Sequence, residues 1–227
     1  MTTSGSPARD RSSGRTRLRS RRRSLRVAVV LIAVVAAGPM IRSRLLRWGA
    51  TPGEVTRPLP GDELVPRPDL SATRALTIDA PARLVWPWVA QLGQGRGGFY
   101  SYDALENLVG CDIHSADRVV EEWQGIAVGD EVRLHPEMAL TVARVDAGRA
   151  LVLRGAVPAG RGPAPYDFTW SFVVEHGPAN TTRLVVRERY GYTRSSAAWL
   201  VEPVAVVSWV MSQRMLRGIR DRAERWF

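Results

Sequence analysis

Two short stretches hold most of the residues that could do chemistry. One runs from Tyr100 through Tyr102, Asp103, Glu106, Asn107, His114 and Asp117; the other is Arg187, Glu188, Arg189, Tyr190 and Tyr192. In an apolar pocket a few such groups orient a ligand, and a desolvated Glu188 or His114 has its pKa moved towards neutrality, where it can exchange protons. The same residues have a plainer use. Asp103 and Asp117 can cap short helices, Glu106 can sit in solvent, and Arg187 with Glu188 can form surface pairs worth little. Strand alternation sets Leu184, Val186, Glu188 and Tyr190 on one face and Val185, Arg187 and Arg189 on the other, leaving open which face is concave.

Other chemistries are poorly supplied. Gly93-Gln94-Gly95-Arg96-Gly97-Gly98 spells G-x-G-x-x-G, but a helix precedes it where a dinucleotide site needs a strand. It reads instead as a flexible loop at a cavity mouth. Cys111 is the only cysteine, so it forms no internal disulfide, and Cys111-x-x-His114 supplies two metal ligands at most. No G-x-S-x-G elbow is present. No metal and no cofactor are expected.

The elements that must position these groups are legible from periodicity. A strand over Ala72 to Ile78 ends at Asp79-Ala80-Pro81, with Asp79 as N-cap and Pro81 in the first turn of a helix to Leu92. Short helices are expected at Tyr102 to Val109 and Ser115 to Trp123. Strands follow at Asp130 to Leu134, Met138 to Val145, Ala150 to Arg154, Asp167 to Glu175 and Thr181 to Tyr190, joined by short turns that favour antiparallel hairpins. Phe168, Trp170 and Phe172 share a face, which makes Trp170 the best pocket-wall candidate. Trp86 and Trp88 cannot share a helix face, so one of them is expected in the core. A last helix from Ala197 to about Trp226 repeats apolar residues every three or four positions. Glu202-Pro203 argues against reading its apolar first half as a membrane span.

This order is that of a helix-grip fold. Ile78-Asp79-Ala80-Pro81-Ala82-Arg83-Leu84-Val85-Trp86 resembles the strand-to-helix opening of the START-like (SRPBCC) superfamily of polyketide cyclases, lipid-transfer domains and the major birch pollen allergen. Gly97-Gly98-Phe99-Tyr100-Ser101-Tyr102-Asp103-Ala104-Leu105-Glu106-Asn107 with Asp112-Ile113-His114-Ser115-Ala116-Asp117-Arg118 is similar to an uncharacterised bacterial branch of it. The resemblance covers residues 70–226. It implies an α+β fold, a curved antiparallel sheet around a long C-terminal helix, enclosing a cavity for an apolar small molecule or lipid. It does not imply a reaction. The expected ligand contacts are Tyr100, Tyr102, Asp103, Asn107, His114, Trp170, Glu188 and Tyr190. The alternative is a cyclase or dehydratase working by acid-base catalysis in the same pocket.

Charge assigns a different task to the N-terminus. The net charge is +10, and all 32 basic residues are arginine. Twelve of them, against the single acid Asp10, lie in residues 1–47, so the remainder is nearly neutral and offers no nucleic-acid groove. Residues 1–26 are expected to be a disordered basic tail. Val27 to Ile41 is uncharged, which at 1.5 Å per residue covers about 22 Å. That spans a bilayer only with snorkelling arginines, so a transmembrane anchor is assigned to 27–46. Nine arginines before it place the N-terminus in the cytoplasm and the domain outside a single-pass anchor. Two alternatives stay open: a cleaved twin-arginine-like export signal at Ser20 to Arg26, and a merely buried helix. Residues 47–70, rich in proline, are expected to be an extended linker, and 71–227 a monomeric ligand-binding domain.

Overall fold

The structure, a computed structural model, describes residues 40–155 and 163–227. Six antiparallel strands form one sheet in the order β1-β6-β5-β4-β3-β2: β1 Leu70–Ile78, β2 Glu131–His135, β3 Met138–Asp146, β4 Ala150–Gly155, β5 Tyr166–His176 and β6 Thr182–Tyr192. The helices are α1 Pro52–Thr56, α2 Ala82–Ala90, α3 Asp103–Leu108 and α4 Ala197–Glu224. The two longest strands pair without interruption from Tyr166 opposite Tyr192 to His176 opposite Thr182. Register shifts at Arg133/His135 and Val142/Arg144 bend the other side of the sheet, since a bulge adds a residue and increases local twist.

The concave face packs on α4 and α2. Strand alternation delivers Phe172 and Val174 of β5 with Leu184 and Val186 of β6 to a core shared with Trp88, Val85, Met215, Leu216 and Ile219. Of the two helical tryptophans, Trp88 is the buried one and Trp86 packs at its margin. Gly218 lets α4 approach the backbone of Tyr100. A Cβ there would lie 2.2 Å from the Tyr100 carbonyl oxygen.

Three expectations are corrected. Asp79 is not the N-cap of α2: Pro81 holds that position without a side-chain cap, and the Asp79 N–H donates to the Glu224 carboxylate at the end of α4, 2.9 Å away. The helix expected over Ser115 to Trp123 is reduced to one 3₁₀ turn, Glu121–Trp123. Asp103 and Asn107 side chains accept the backbone N–H groups of Ser115 and Ile113, so this segment takes its hydrogen bonds across the loop rather than along a helix.

The third correction concerns residues 47–70, which form a strap on the convex face instead of an extended linker. Residues 45–227 make one compact unit. Thr51 and Glu54 form a capping box that starts α1. Glu54 pairs with Arg183 at 2.7 Å, Asp62 with Arg187 at 2.6 Å, and Arg57 with Glu175 at 2.6 Å. Arg187 also donates to the carbonyls of Glu54, Val55 and Arg57, and Arg189 to that of Val65. A proline-rich segment has no periodic hydrogen bonding of its own, and here sheet arginines supply its donors. Leu59 is buried with Ala75, Val173 and Val185 beneath it.

The anchor assigned to 27–46 lies outside the described residues except for 40–46, which are helical. Among the described residues no helix is long and apolar enough to cross a membrane.

Candidate functional site

Between the concave face and α4 lies a cavity of about 270 Å³ with an almost wholly apolar lining. Its wall is aromatic because inward positions of β5 and β6 repeat every second residue: Tyr166, Phe168, Trp170 and Tyr190, joined by Phe99 from the segment after α2. The rings pack on one another, Phe168 and Tyr190 at 4.7 Å between centroids, Tyr166 and Tyr190 at 5.6 Å, and Phe99 and Trp170 at 5.9 Å. Offset and tilted arrangements of this kind are the favoured ones for aromatic quadrupoles.

One polar cluster interrupts the wall. Glu188 of β6 points inwards and its Oε1 lies 2.6 Å from Nη1 of Arg74, with both side chains almost fully buried. Arg74 stands opposite Val186 in the β1–β6 ladder, so the pair is diagonal across the two strands. Ser208 donates to the same carboxylate oxygen at 2.6 Å and Ser212 at 3.3 Å, both from α4. Tyr190 donates to the other oxygen at 3.3 Å. Burial, with Glu188 alongside, holds the Tyr190 phenol well above its usual range, so it remains a donor.

Glu106 of α3 and Cys111 also line the cavity. Burial first, and then Asp103 one turn back, push the Glu106 carboxyl from the usual 4.5 up to about 7. The Cys111 thiol is raised too, by burial and by Glu106. Glu106 Oε2 and the Trp170 indole N–H are buried without a hydrogen-bond partner among the described residues. Both residues line the cavity, but these two atoms are closed off from solvent-sized space.

Of the eight expected ligand contacts, Trp170, Glu188 and Tyr190 come together here. The other five do not line the cavity. Tyr100 is core: its hydroxyl donates to the Trp88 carbonyl, its ring meets Trp88 edge-on at 5.7 Å, and the Arg222 guanidinium covers it at 4.8 Å. Asp103 and Asn107 brace the loop as above, Tyr102 is exposed ahead of α3, and His114 is exposed 3.3 Å from Asp112. The plainer reading of Arg187 also fails, since it is buried under the strap. The glycine segment does not line the cavity either. Gly93 and Gly98 exchange backbone hydrogen bonds at 3.0 Å, and Arg96 ties it to the carbonyls of Ala90 and Trp123.

Arg74, Ser208 and Ser212 were not among the expected residues, and Glu106 was a chemical candidate with solvent exposure as its plainer alternative, outside the expected ligand contacts. Signals existed for the first three. Arg74 is the single charge in an otherwise uncharged strand, and Ser208 and Ser212 fall four apart on the inner side of an apolar helix.

A six-stranded antiparallel sheet curved around a 28-residue C-terminal helix, with a short helix between β1 and β2 closing its end, decides the architecture. The fold is a helix grip. No family model matches the sequence, and no curated protein matches it. Solved structures do, at low identity. Protein NE0264 from Nitrosomonas europaea is 12% identical, with 75% of this chain and 100% of that one covered and a TM-score of 0.44. The polyketide-cyclase-like protein Cgl2372 from Corynebacterium glutamicum is 14% identical over 68% and 91%, TM-score 0.38. Norcoclaurine synthase from Thalictrum flavum is 13% identical over 67% and 84%, TM-score 0.41.

Proposed function

We infer that the protein binds an apolar small molecule in this cavity, held outside the cytoplasmic membrane by the arginine-flanked apolar segment at 27–46. The observation that carries the reading is the aromatic wall with one buried ion pair set into it. Apolar burial contributes about 25 cal/mol per Å², and the few polar groups fix orientation. Stacked rings select a planar, unsaturated body over a flexible saturated chain, because such a ligand gains quadrupole contacts and loses fewer rotors on binding. Within the class of lipid or polyketide-like compounds this favours the polyketide-like ones. A hydroxyl on the ligand would meet Glu188 and Ser208 or, elsewhere on the wall, Glu106.

One observation favours a second reading, acid-base catalysis of a cyclase or dehydratase type. Glu106 lines the cavity with a carboxyl near neutrality, where a group serves equally as proton donor and acceptor.

A thermal-stability panel tests the binding reading. Planar phenolic and polycyclic ketone ligands are expected to raise the melting temperature of the full chain more than fatty acids of equal carbon number. Equal, or no, stabilisation across the panel would count against it.

A further inference from the structure

Charge is distributed unevenly around the cavity. Glu106 and Glu188 line it, and among the described residues no arginine or histidine does, although the chain carries 32 arginines. The two carboxylates differ in their company. Glu188 is neutralised by Arg74 at 2.6 Å and accepts the hydroxyl hydrogens of Ser208, Ser212 and Tyr190. Arg74 itself is 1% exposed and outside the lining. Glu106 makes no side-chain hydrogen bond and no ion pair among the described residues, and the charge it feels is Asp103, of its own sign. Its Oε2 is closed off, which leaves Oε1 to meet a ligand.

An uncompensated carboxylate in an apolar wall is costly to keep, and the complement that the protein omits is a cation. The remaining wall suits one. Phe99, Tyr166, Phe168, Trp170 and Tyr190 supply π-systems whose faces attract cations, tryptophan most strongly. An anionic ligand would meet two carboxylates, and the hydroxyl hydrogens of Ser208, Ser212 and Tyr190 are already directed at Glu188.

We propose that the ligand of this cavity is a planar molecule bearing a basic amine, and that Glu106 is the counter-ion of its ammonium group. The proposal rests on the binding reading above and names a ligand class within it. Occupancy and ionisation are then linked. The Glu106 carboxyl, near 7 while uncompensated, falls towards the ordinary carboxylate range beside an ammonium group, so the amine binds with release of a proton around neutrality. The other titratable groups around it are Asp103 on the same helix, Cys111 beyond it, Tyr166 on β5, and Glu188 and Tyr190 on β6. Burial raises the Cys111 thiol and the Tyr190 phenol, away from neutrality.

The test is calorimetric titration of the full chain, in a non-ionic detergent at pH 8, with three probes that share a two-ring body: 2-naphthylmethylamine, 2-naphthylmethanol and 2-naphthoate. The amine is expected to bind about tenfold more tightly than the alcohol, the worth of one charge-assisted hydrogen bond, and 2-naphthoate not to bind saturably. From pH 6 to pH 8 the affinity for the amine is expected to rise about tenfold as Glu106 ionises, with that for the alcohol level. Glu106→Gln is expected to keep the alcohol and to lose both the preference for the amine and its pH dependence. Equal affinity for amine and alcohol in the unaltered protein overturns the proposal, as does an amine preference that survives Glu106→Gln, or binding of 2-naphthoate as tight as that of the amine. The neutral fluorophore N-phenyl-1-naphthylamine scores the cavity itself in the same samples. If it binds while none of the three probes does, the amine assignment falls and the binding reading stands. If it also fails to bind, the binding reading falls and this inference falls with it.

Discussion

Arg74 Nη1 and Glu188 Oε1 lie 2.6 Å apart beneath the cavity, and the two side chains are 1% and 4% exposed. A charge taken that far from water costs several kcal/mol to desolvate, and the pair's own attraction with the hydroxyls of Ser208 and Ser212 offsets part of this, Arg74 Nε and Nη2 having no hydrogen-bond partner among the described residues. Arg74→Ala is therefore expected to destabilise the protein by about 3–5 kcal/mol, because it strands the carboxylate. The double change Arg74→Met with Glu188→Leu is expected to recover most of that loss. Urea unfolding of the three proteins checks both, and a double variant no better than the single one would contradict the account.

Glu106 gives a pH dependence of definite sign. Its folded pKa lies near 7 and its unfolded one near 4.5, so between those values the folded state binds more protons than the unfolded. Stability from this group is full below about pH 4.5 and declines as pH rises to about 7. Glu106→Gln is expected to flatten that decline and to make the protein more stable at pH 8. Melting temperatures from pH 5 to 8 read this directly, and parallel curves for the two proteins would place the carboxyl in solvent.

At Gly218 an added methyl meets the Tyr100 backbone and Cβ within 2.7 Å, and neither is the end of a flexible side chain. Gly218→Ala should cost about 1–3 kcal/mol by overpacking, a fall in melting temperature of about 3–10 °C for a body of this size. Differential scanning calorimetry measures it.

The strap carries its own prediction. Asp62 is the carboxylate that faces buried Arg187, and it also pairs with Arg189 at 3.1 Å. Asp62→Ala is expected to cost about 3 kcal/mol, and a protein truncated to begin at Leu70 is expected not to fold, since Arg183, Arg187 and Arg189 would lose most of their partners together. Proteolysis of the truncated chain is the check: resistance equal to the full chain would show the strap to be dispensable.

The strap also hides one face of β6 from the sequence pattern. The six strands and α4 were legible because period-two and period-3.6 patterns survive one-sided burial, as at Phe168, Trp170 and Phe172. Which face of β6 was concave was not legible, because its other face, with Arg187 and Arg189, is buried too. The acids that bury it, Glu54 and Asp62, lie in an aperiodic segment more than 120 residues away. Whether Glu106 faced the pocket or solvent was not legible for a related reason. Its six-residue helix is too short for a period to separate inside from outside, and the leucines that flank it are exposed. Asp103, Asn107 and His114 carried the right chemistry in the wrong place, since the turns between α3 and Ser115 are held by the first two and leave the third in solvent.

Binding of an apolar planar molecule in the aromatic cavity is read by titrating the full chain in a non-ionic detergent with N-phenyl-1-naphthylamine. Met211→Trp, which fills the cavity from α4, serves as the blocked form. Saturable one-to-one binding to the unaltered protein is expected, with affinity at least tenfold lower in Met211→Trp. Equal affinity in the two proteins, or no saturable binding to either, would contradict it.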